Sequence, residues 1–181
     1  MITDEKLLVE GCQRGDRPAQ KALYDMYSGK MMAVCMRYVK NIEDAQDILQ
    51  EGFIKVFTNL NRYSGTGQFG GWVRRIIVNC ALEHLRRADV LREAFDIEDV
   101  QIEDEADDVS PYEVSGDTIL KCIASLPDGF RTVFNLYAIE EYSHKDIGQM
   151  LGISEGTSRS QYARARKMLQ KMILQNIKHN G

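Results

Sequence analysis

The sequence predicts an all-α protein built as two small helical domains joined by an acidic linker. Three observations carry that prediction. Apolar residues recur every three or four positions over most of the chain, which is the period of a helix face, and alternating strand patterns are hard to find. Only three prolines occur in 181 residues, so little interrupts helices. Residues 94–117 (AFDIEDVQIEDEADDVSPYEVSGD) hold ten Asp or Glu and no Lys or Arg, with few large apolar side chains, so they cannot build a core of their own. The expected organisation is therefore a helical domain at 1–93, a linker at 94–117 and a second helical domain at 118–181.

Each element follows from local signals. Thr3 or Asp4 can cap a first helix that ends between Gly11 and Gly15. Pro18 suits the first turn of a second helix running to Tyr38 or Lys40, with a break allowed at Ser28-Gly29. A third spans Ile42 or Glu43 to Leu60, and a fourth runs from Phe69 to Ala88 after the glycine-spaced loop Tyr63 to Gln68. In the last third, helices are expected near 116–125, 128–140, 143–151 and 154–176. Leu126-Pro127-Asp128 marks a break, with Pro127 ending one helix and Asp128 capping the next.

The net charge of −4 hides a segregation. Without residues 94–117 the chain carries 23 basic and 17 acidic residues, so its helical parts are basic and suit a polyanionic partner. The acidic stretch itself has two readings, a solvated tether or a mimic of nucleic-acid charge. No apolar run reaches 18 residues and the N-terminus is acidic and polar, which points to a cytoplasmic protein without membrane insertion. Cys12, Cys35, Cys80 and Cys122 are scattered without a CxxC pair, which favours buried reduced thiols over a disulfide framework or zinc site.

Three segments carry functional information. On the helix over 43–60, Ala45, Leu49, Gly52, Phe53, Val56 and Leu60 form a core stripe. The opposite face bears Asp44, Asp47, Gln50, Glu51 and Thr58, together with Ile54 and, at its edge, Phe57. It is either an ordinary solvated face or a protein-docking surface. On the helix over 69–88, Phe69, Val73, Ile76, Cys80 and His84 share a core stripe, while Trp72, Arg75, Asn79 and Arg86 gather along one edge. An indole, an amide and guanidinium groups suit unstacked DNA, although Trp72 also reads as a core anchor. Finally, Tyr142 to Leu169 places a short Ser-capped helix, Gly152 and a second helix bearing Arg159, Arg164, Arg166 and Lys167 in the helix-turn-helix order.

Asp44 to Tyr63 (DAQDILQEGFIKVFTNLNRY) with Phe69 to Arg87 (FGGWVRRIIVNCALEHLRR) resembles region 2 of bacterial sigma factors, and Leu126 to Leu169 resembles their region 4. The order, length and acidic linker resemble the extracytoplasmic-function (ECF) group of the sigma-70 family. The resemblance implies a factor that binds core RNA polymerase and directs promoter-specific initiation, with no catalysis or cofactor of its own. Asp44, Asp47, Gln50, Glu51, Ile54 and Phe57 would dock on the clamp helices of the largest catalytic subunit, and the flap of the second large subunit would be a further contact. Ser64, Gln68, Phe69, Trp72, Arg75, Asn79 and Arg86 would recognise and melt the −10 element, holding a flipped base. Glu155, Gly156, Thr157, Arg159, Ser160 and Arg164 would face the −35 element, and an anti-sigma factor is the implied regulator. The linker would thread toward the polymerase active centre and RNA exit path. Two positions depart from the family. Ser158 replaces a usual inward apolar residue, leaving packing there to Tyr162 and Ile153, and Glu83 replaces a frequent Asp.

Two other classes fit less of the chain. A ligand-sensing or dimeric helix-turn-helix repressor predicts a dimerisation heptad, and none is present. An enzyme needs fixed ligands or a phosphate loop, whereas His84, His144 and His179 are far apart and no GxxxxGK run occurs.

Overall fold

In the computed structural model, residues 5–88, 90–91 and 115–180 are described. Among them regular structure is helical, without strands. Contacts divide the chain into two compact units, Met1–His84 and Leu85–Gly181. The linker expected at 94–117, including its tether and charge-mimic readings, lies outside the described residues except for its last three positions, as do the expected caps Thr3 and Asp4.

The first unit is built from α1 (Glu5–Gln13), α2 (Arg17–Cys35), α3 (Ile42–Thr58), a 3-10 turn (Leu60–Arg62) and α4 (Phe69–Arg87), whose last residues run past the unit boundary. Pro18 sits in the first turn of α2, where its missing N–H costs nothing. The break allowed at Ser28-Gly29 does not occur, and α2 is continuous through it. Tyr27 and Met31, buried on either side, hold the helix to the core and offset the roughly 1 kcal/mol that a mid-helix glycine costs. The helix stops at Cys35, short of Tyr38, because the chain tightens into i→i+3 bonds from Arg37 and Tyr38 to the Val34 and Cys35 carbonyls and turns Tyr38 into the core. Asn41 caps α3, its Oδ1 accepting from the Asp44 amide at 2.7 Å.

Close helix approach depends on two glycines. A methyl group at Gly11 would lie 2.8 Å from the Ala19 Cβ, and one at Gly52 would lie 2.3 Å from the Ile77 Cδ1. α1 thus lies close on Ala19 of α2 at Gly11, and α3 on Ile77 of α4 at Gly52. Ala45, Leu49, Gly52, Phe53, Val56 and Leu60 are all buried as the periodicity predicts, although Leu60 belongs to the 3-10 turn after α3. On α4 the core stripe is wider than expected: Ile77, Val78, Ala81, Leu82 and Leu85 are buried with Phe69, Val73 and Cys80, whereas Ile76 and His84 are only half-buried.

The second unit holds α5 (Gly116–Ala124), α6 (Asp128–Phe134) running into a π turn (Asn135–Ile139), α7 (His144–Leu151) and α8 (Glu155–Asn180). Cys122, Ile123, Leu126, Phe130, Ala165 and Leu169 form its core, flanked by Phe134, Met168 and Ile173. Pro127, not Asp128, occupies the cap position of α6, and no side chain caps it. Asp128 instead pairs with Arg131, 2.5 Å away and 2% exposed. That buried guanidinium also donates to the carbonyls of Ala124 and Leu126 at 3.2 and 3.3 Å, closing the end of α5. A buried cation supplied with three acceptors avoids the penalty of an unpaired one. All four cysteines are buried and free. Burial pushes the Cys35 thiol up to about 12, so it stays protonated at neutral pH.

Candidate nucleic-acid interface and docking face

The outward side of α3 separates into two groups. Asp47 and Gln50 are exposed, and Ile54 is 61% exposed in spite of its size. Phe57 lies at the edge, half-buried, its ring 6.0 Å from that of Phe53. Tyr24 from α2 meets Phe53 edge-on at 4.7 Å and extends the aromatic rim. Asp44 and Glu51, by contrast, are half-buried and engaged by neighbouring side chains. Asp44 accepts from the Asn41 side chain at 2.7 Å and lies 3.4 Å from His84 Nε2. Glu51 lies 3.1 Å from Lys55 Nζ, which also pairs with Glu83 at 2.5 Å. The two carboxylates, led by the Glu83 hydrogen bond, hold the Lys55 ammonium above its ordinary range. The departure at Glu83 therefore supplies a link between α3 and α4.

The second surface is the start of α4 and the loop before it. Gly65 and Gly67 adopt left-handed φ values of 74° and 81°, where a side chain would be strained. The turn is fastened by the Tyr63 hydroxyl, which donates to the Gly67 carbonyl at 2.9 Å, and by the paired Ser64 and Thr66 hydroxyls. Four aromatic rings cluster edge-on or tilted around Phe69. Tyr27 meets Phe69 at 5.7 Å, Phe69 meets Tyr63 at 5.1 Å and Trp72 at 5.6 Å, and Tyr63 meets Trp72 at 5.5 Å. The expectation that Phe69 faces DNA is corrected here. At 1% exposure it lies in the core, as its stripe position also indicated, and it supports the half-buried Trp72 and Tyr63 from beneath. Ser64, Gln68, Arg75, Asn79 and Arg86 are exposed, and Trp72, Arg75 and Asn79 follow one another along one side of α4. Tyr63 was not singled out by sequence reasoning. It lies in a loop, where helical periodicity says nothing, and only its aromatic character nine residues before Trp72 marks it.

The third surface is the pair α7–α8. Ser143 caps α7, accepting from the Asp146 amide at 3.1 Å and donating to the Asp146 carboxylate at 2.6 Å. Gly152 ends it in a left-handed conformation (φ 70°), and the Ile153 amide returns to the Gly148 carbonyl at 3.0 Å. Ser154 then caps α8 through the Thr157 amide at 2.9 Å. This is a helix-turn-helix, each end closed by its own capping residue. Glu155, Gly156, Arg159 and Ser160 are exposed on the first turns of α8, whereas Thr157 and Arg164 are half-buried. Arg159 and Glu155 form an exposed ion pair at 2.5 Å.

Ser158, the departure in this helix, is fully buried. Its hydroxyl lies 2.9 Å from His144 Nδ1 at the start of α7. The imidazole stacks on Tyr137 of the π turn, with ring centres 4.1 Å apart and planes 9° off parallel. Tyr162 closes the cluster at 4.5 Å from Tyr137 and 5.8 Å from Phe134. The buried Ser158 hydroxyl is thus met by His144, and Tyr162, one of the two residues expected to take up packing here, lies 5.8 Å from that imidazole. Burial, with help from Arg159 and against the opposing charge of Glu155, lowers the His144 pKa below its ordinary value of 6.5. The unfolded chain then binds this proton more tightly than the folded one. Stability from this source is complete above about pH 6.5 and is lost as pH falls through 6.5 toward the folded value. Hydrogen-exchange protection of α7 and α8, corrected for intrinsic rates, is expected to decline between pH 7 and pH 5.5 in the native chain and to decline less in His144→Phe.

Fold and surfaces define a class: an all-helical DNA-binding protein with a helix-turn-helix in one unit and an aromatic, amide and arginine face in the other. Residues 23–90 match the family model "Sigma-70 region 2" and residues 116–169 match "Sigma-70, region 4". The chain is 32% identical to the RNA polymerase sigma-H factor of Pseudomonas aeruginosa, over 96% of both chains. It is 30% identical to the ECF RNA polymerase sigma factor SigW of Bacillus subtilis, over 93% of this chain and 96% of that one. Among solved structures it resembles the sigma factor RpoE of Bartonella quintana crystallised with the anti-sigma factor NepR (TM-score 0.51, 22% identity, 84% of this chain and 94% of that one), a likeness of fold. CnrH in complex with the cytosolic domain of CnrY is equally close in fold (TM-score 0.51, 19% identity, 93% and 96% covered). The chain belongs to the sigma-70 family, in its ECF group, and is a sigma factor that directs transcription initiation at promoters. Among the described residues no helix is long and apolar enough to cross a membrane.

Proposed function

We propose that the three surfaces divide the work of promoter recognition. The exposed part of α3 (Asp47, Gln50, Ile54, with Phe57 at its rim) docks on core RNA polymerase through the clamp helices of its largest subunit. The loop Ser64 to Gln68 and the α4 face bearing Trp72, Arg75 and Asn79 capture an unstacked base of the −10 element. The first turns of α8 enter the major groove at the −35 element. The carrying observation is the row of Trp72, Arg75 and Asn79 next in sequence to a loop that turns on two left-handed glycines, in a chain that also has a helix-turn-helix.

Each part has a physical reason. A base that leaves the duplex costs a few kcal/mol of stacking, and an indole face with Tyr63 beside it returns some of that. Binding the opened strand better than the duplex shifts the equilibrium toward the open promoter. Arg159 and Ser160 present donors to base edges and phosphates. The working division is 1–93 for polymerase docking and the −10 element, 94–117 as a tether, and 118–181 for the −35 element. Two weak readers on one chain then act at high effective concentration. Asp44 and Glu51 serve this scheme by holding α3 in place through Asn41, His84 and Lys55, not as the primary contacts. Solved relatives are seen with anti-sigma factors, so a protein of that kind is the proposed regulator here.

Run-off transcription with purified core polymerase and genomic promoter fragments tests the reading. Discrete transcripts that require the chain are expected. In the same assay Asn79→Ala is expected to cut permanganate reactivity of start-site thymines several-fold while initial duplex binding changes little. Native reactivity in that variant removes Asn79 from strand capture.

A further inference from the structure

We propose that the buried His144–Ser158 hydrogen bond is a positioning clasp that sets the rotation of α8 against α7, and through it which bases Arg159 and Ser160 reach. This rests on the reading of α8 as the helix that enters the −35 element. Ser158 is the fully buried residue of the first turns of α8, and the next two residues are exposed. Fixing Ser158 therefore fixes Arg159 and Ser160 by helix geometry, at about 100° per residue.

An apolar side chain at position 158 would fill the same space without direction. A hydrogen bond differs, because it weakens steeply as its angle and length change. The partner atom is itself immobilised: the His144 ring lies 4.1 Å from Tyr137 and nearly parallel to it, and Tyr162 lies against it at 5.8 Å. Tyr137 belongs to the π turn, so a third element takes part in setting the imidazole plane. The geometry is sensitive. Turning a helix by about 20° about its axis moves a side-chain tip, at a radius of roughly 6 Å, by about 2 Å. That is enough to lose a hydrogen bond to one base edge. Contacts to phosphate, which carry no sequence information, tolerate such a shift far better.

The clasp consequently acts on discrimination more than on affinity. A merely structural pair would act on stability, with discrimination following it. The two are separable because removing one partner leaves a buried polar group unsatisfied, whereas removing both does not.

The test uses holoenzyme reconstituted from core polymerase and the full chain. Duplexes selected from a random-sequence pool by the native holoenzyme supply the probe, and the readout is the affinity ratio between the selected fragment and the same fragment with its upstream element scrambled. Ser158→Ala and His144→Phe are each expected to lower that ratio about five- to tenfold, with affinity for the scrambled fragment and its salt dependence unchanged. The double variant is expected to regain hydrogen-exchange protection of α8 while the ratio stays low. A native ratio in either single variant, or a ratio in the double variant that recovers together with protection, overturns the clasp. Arg159→Ala separates the two levels of inference. If it lowers the ratio and the clasp variants do not, only the clasp fails. If Arg159→Ala also leaves the ratio native, the assignment of α8 to the upstream element fails and the clasp falls with it.

Discussion

Replacing Asp47, Gln50 and Ile54 together by alanine is expected to weaken binding to core RNA polymerase by on the order of 100-fold while the isolated chain stays folded. The reasoning starts from exposure. All three side chains point away from the core stripe, and Ile54 leaves most of its surface in water, which an aliphatic side chain has no folding reason to do. Truncating a central apolar anchor of an interface typically costs 2 kcal/mol or more, and flanking polar partners add roughly 1 kcal/mol. At about 1.4 kcal/mol per factor of ten, that sum reaches two decades. Asp44→Ala is the informative contrast. Its carboxylate serves the Asn41 cap and faces His84, so its loss is expected to lower the stability of α3 and to affect docking only through that. Titration of labelled chain with core polymerase, beside thermal unfolding of the free chain, separates the two effects. Unchanged affinity in the triple variant removes this face from the interface.

Gly148→Ala is expected to be the most damaging single methyl group in the second unit. Gly148 is buried in α7, and a Cβ there would lie 2.8 Å from the Ile153 carbonyl oxygen and 3.5 Å from the Glu155 amide nitrogen. Both are backbone atoms of the turn, so no side chain can swing aside. The turn must open, which strains the Gly148–Ile153 hydrogen bond and shifts the start of α8. Overpacking of this kind costs about 1–3 kcal/mol, a large share of what a unit this size holds in reserve. Loss of exchange protection in α7 and α8, with the first unit unaffected, is the expected signature. Gly52→Ala is a milder case by kind: the atom in the way is the Ile77 Cδ1, the end of a side chain that has other rotamers.

Much of this architecture was legible in residue spacing. The stripe Ala45, Leu49, Gly52, Phe53, Val56 and Leu60 is buried throughout because one amphipathic face of α3 has one neighbour layer, the case that a 3.6-residue period describes well. The helix-turn-helix was legible for a different reason. Its caps, Ser143 and Ser154, and its αL residue, Gly152, act within a few positions of themselves. Readings failed where a contact, near or distant in sequence, outweighed the local signal. Ser28-Gly29 looks like a break until Tyr27 and Met31 are seen held in the core. Asp128 looks like a cap until Arg131 claims its carboxylate and Pro127 takes the cap position. Spacing along α3 also could not show that Asp44 faces His84 or that Lys55, the i+4 neighbour of Glu51, reaches Glu83 of α4. His144 and Ser158 stand fourteen positions apart and meet only because the turn folds α7 onto α8.

The nearly bare contact between Gly52 and Ile77 has a consequence for timing. Because the Gly52 backbone lies directly on Ile77, and Lys55 ties Glu51 to Glu83 across α3 and α4, the two helices are joined as one slab. On the proposed division of work, α3 would meet the polymerase while α4 bears the indole and amide that would receive the displaced base. On that proposal, seating on the enzyme would aim the strand-capturing face in the same act, like a gauge block whose thickness fixes where the next part must sit.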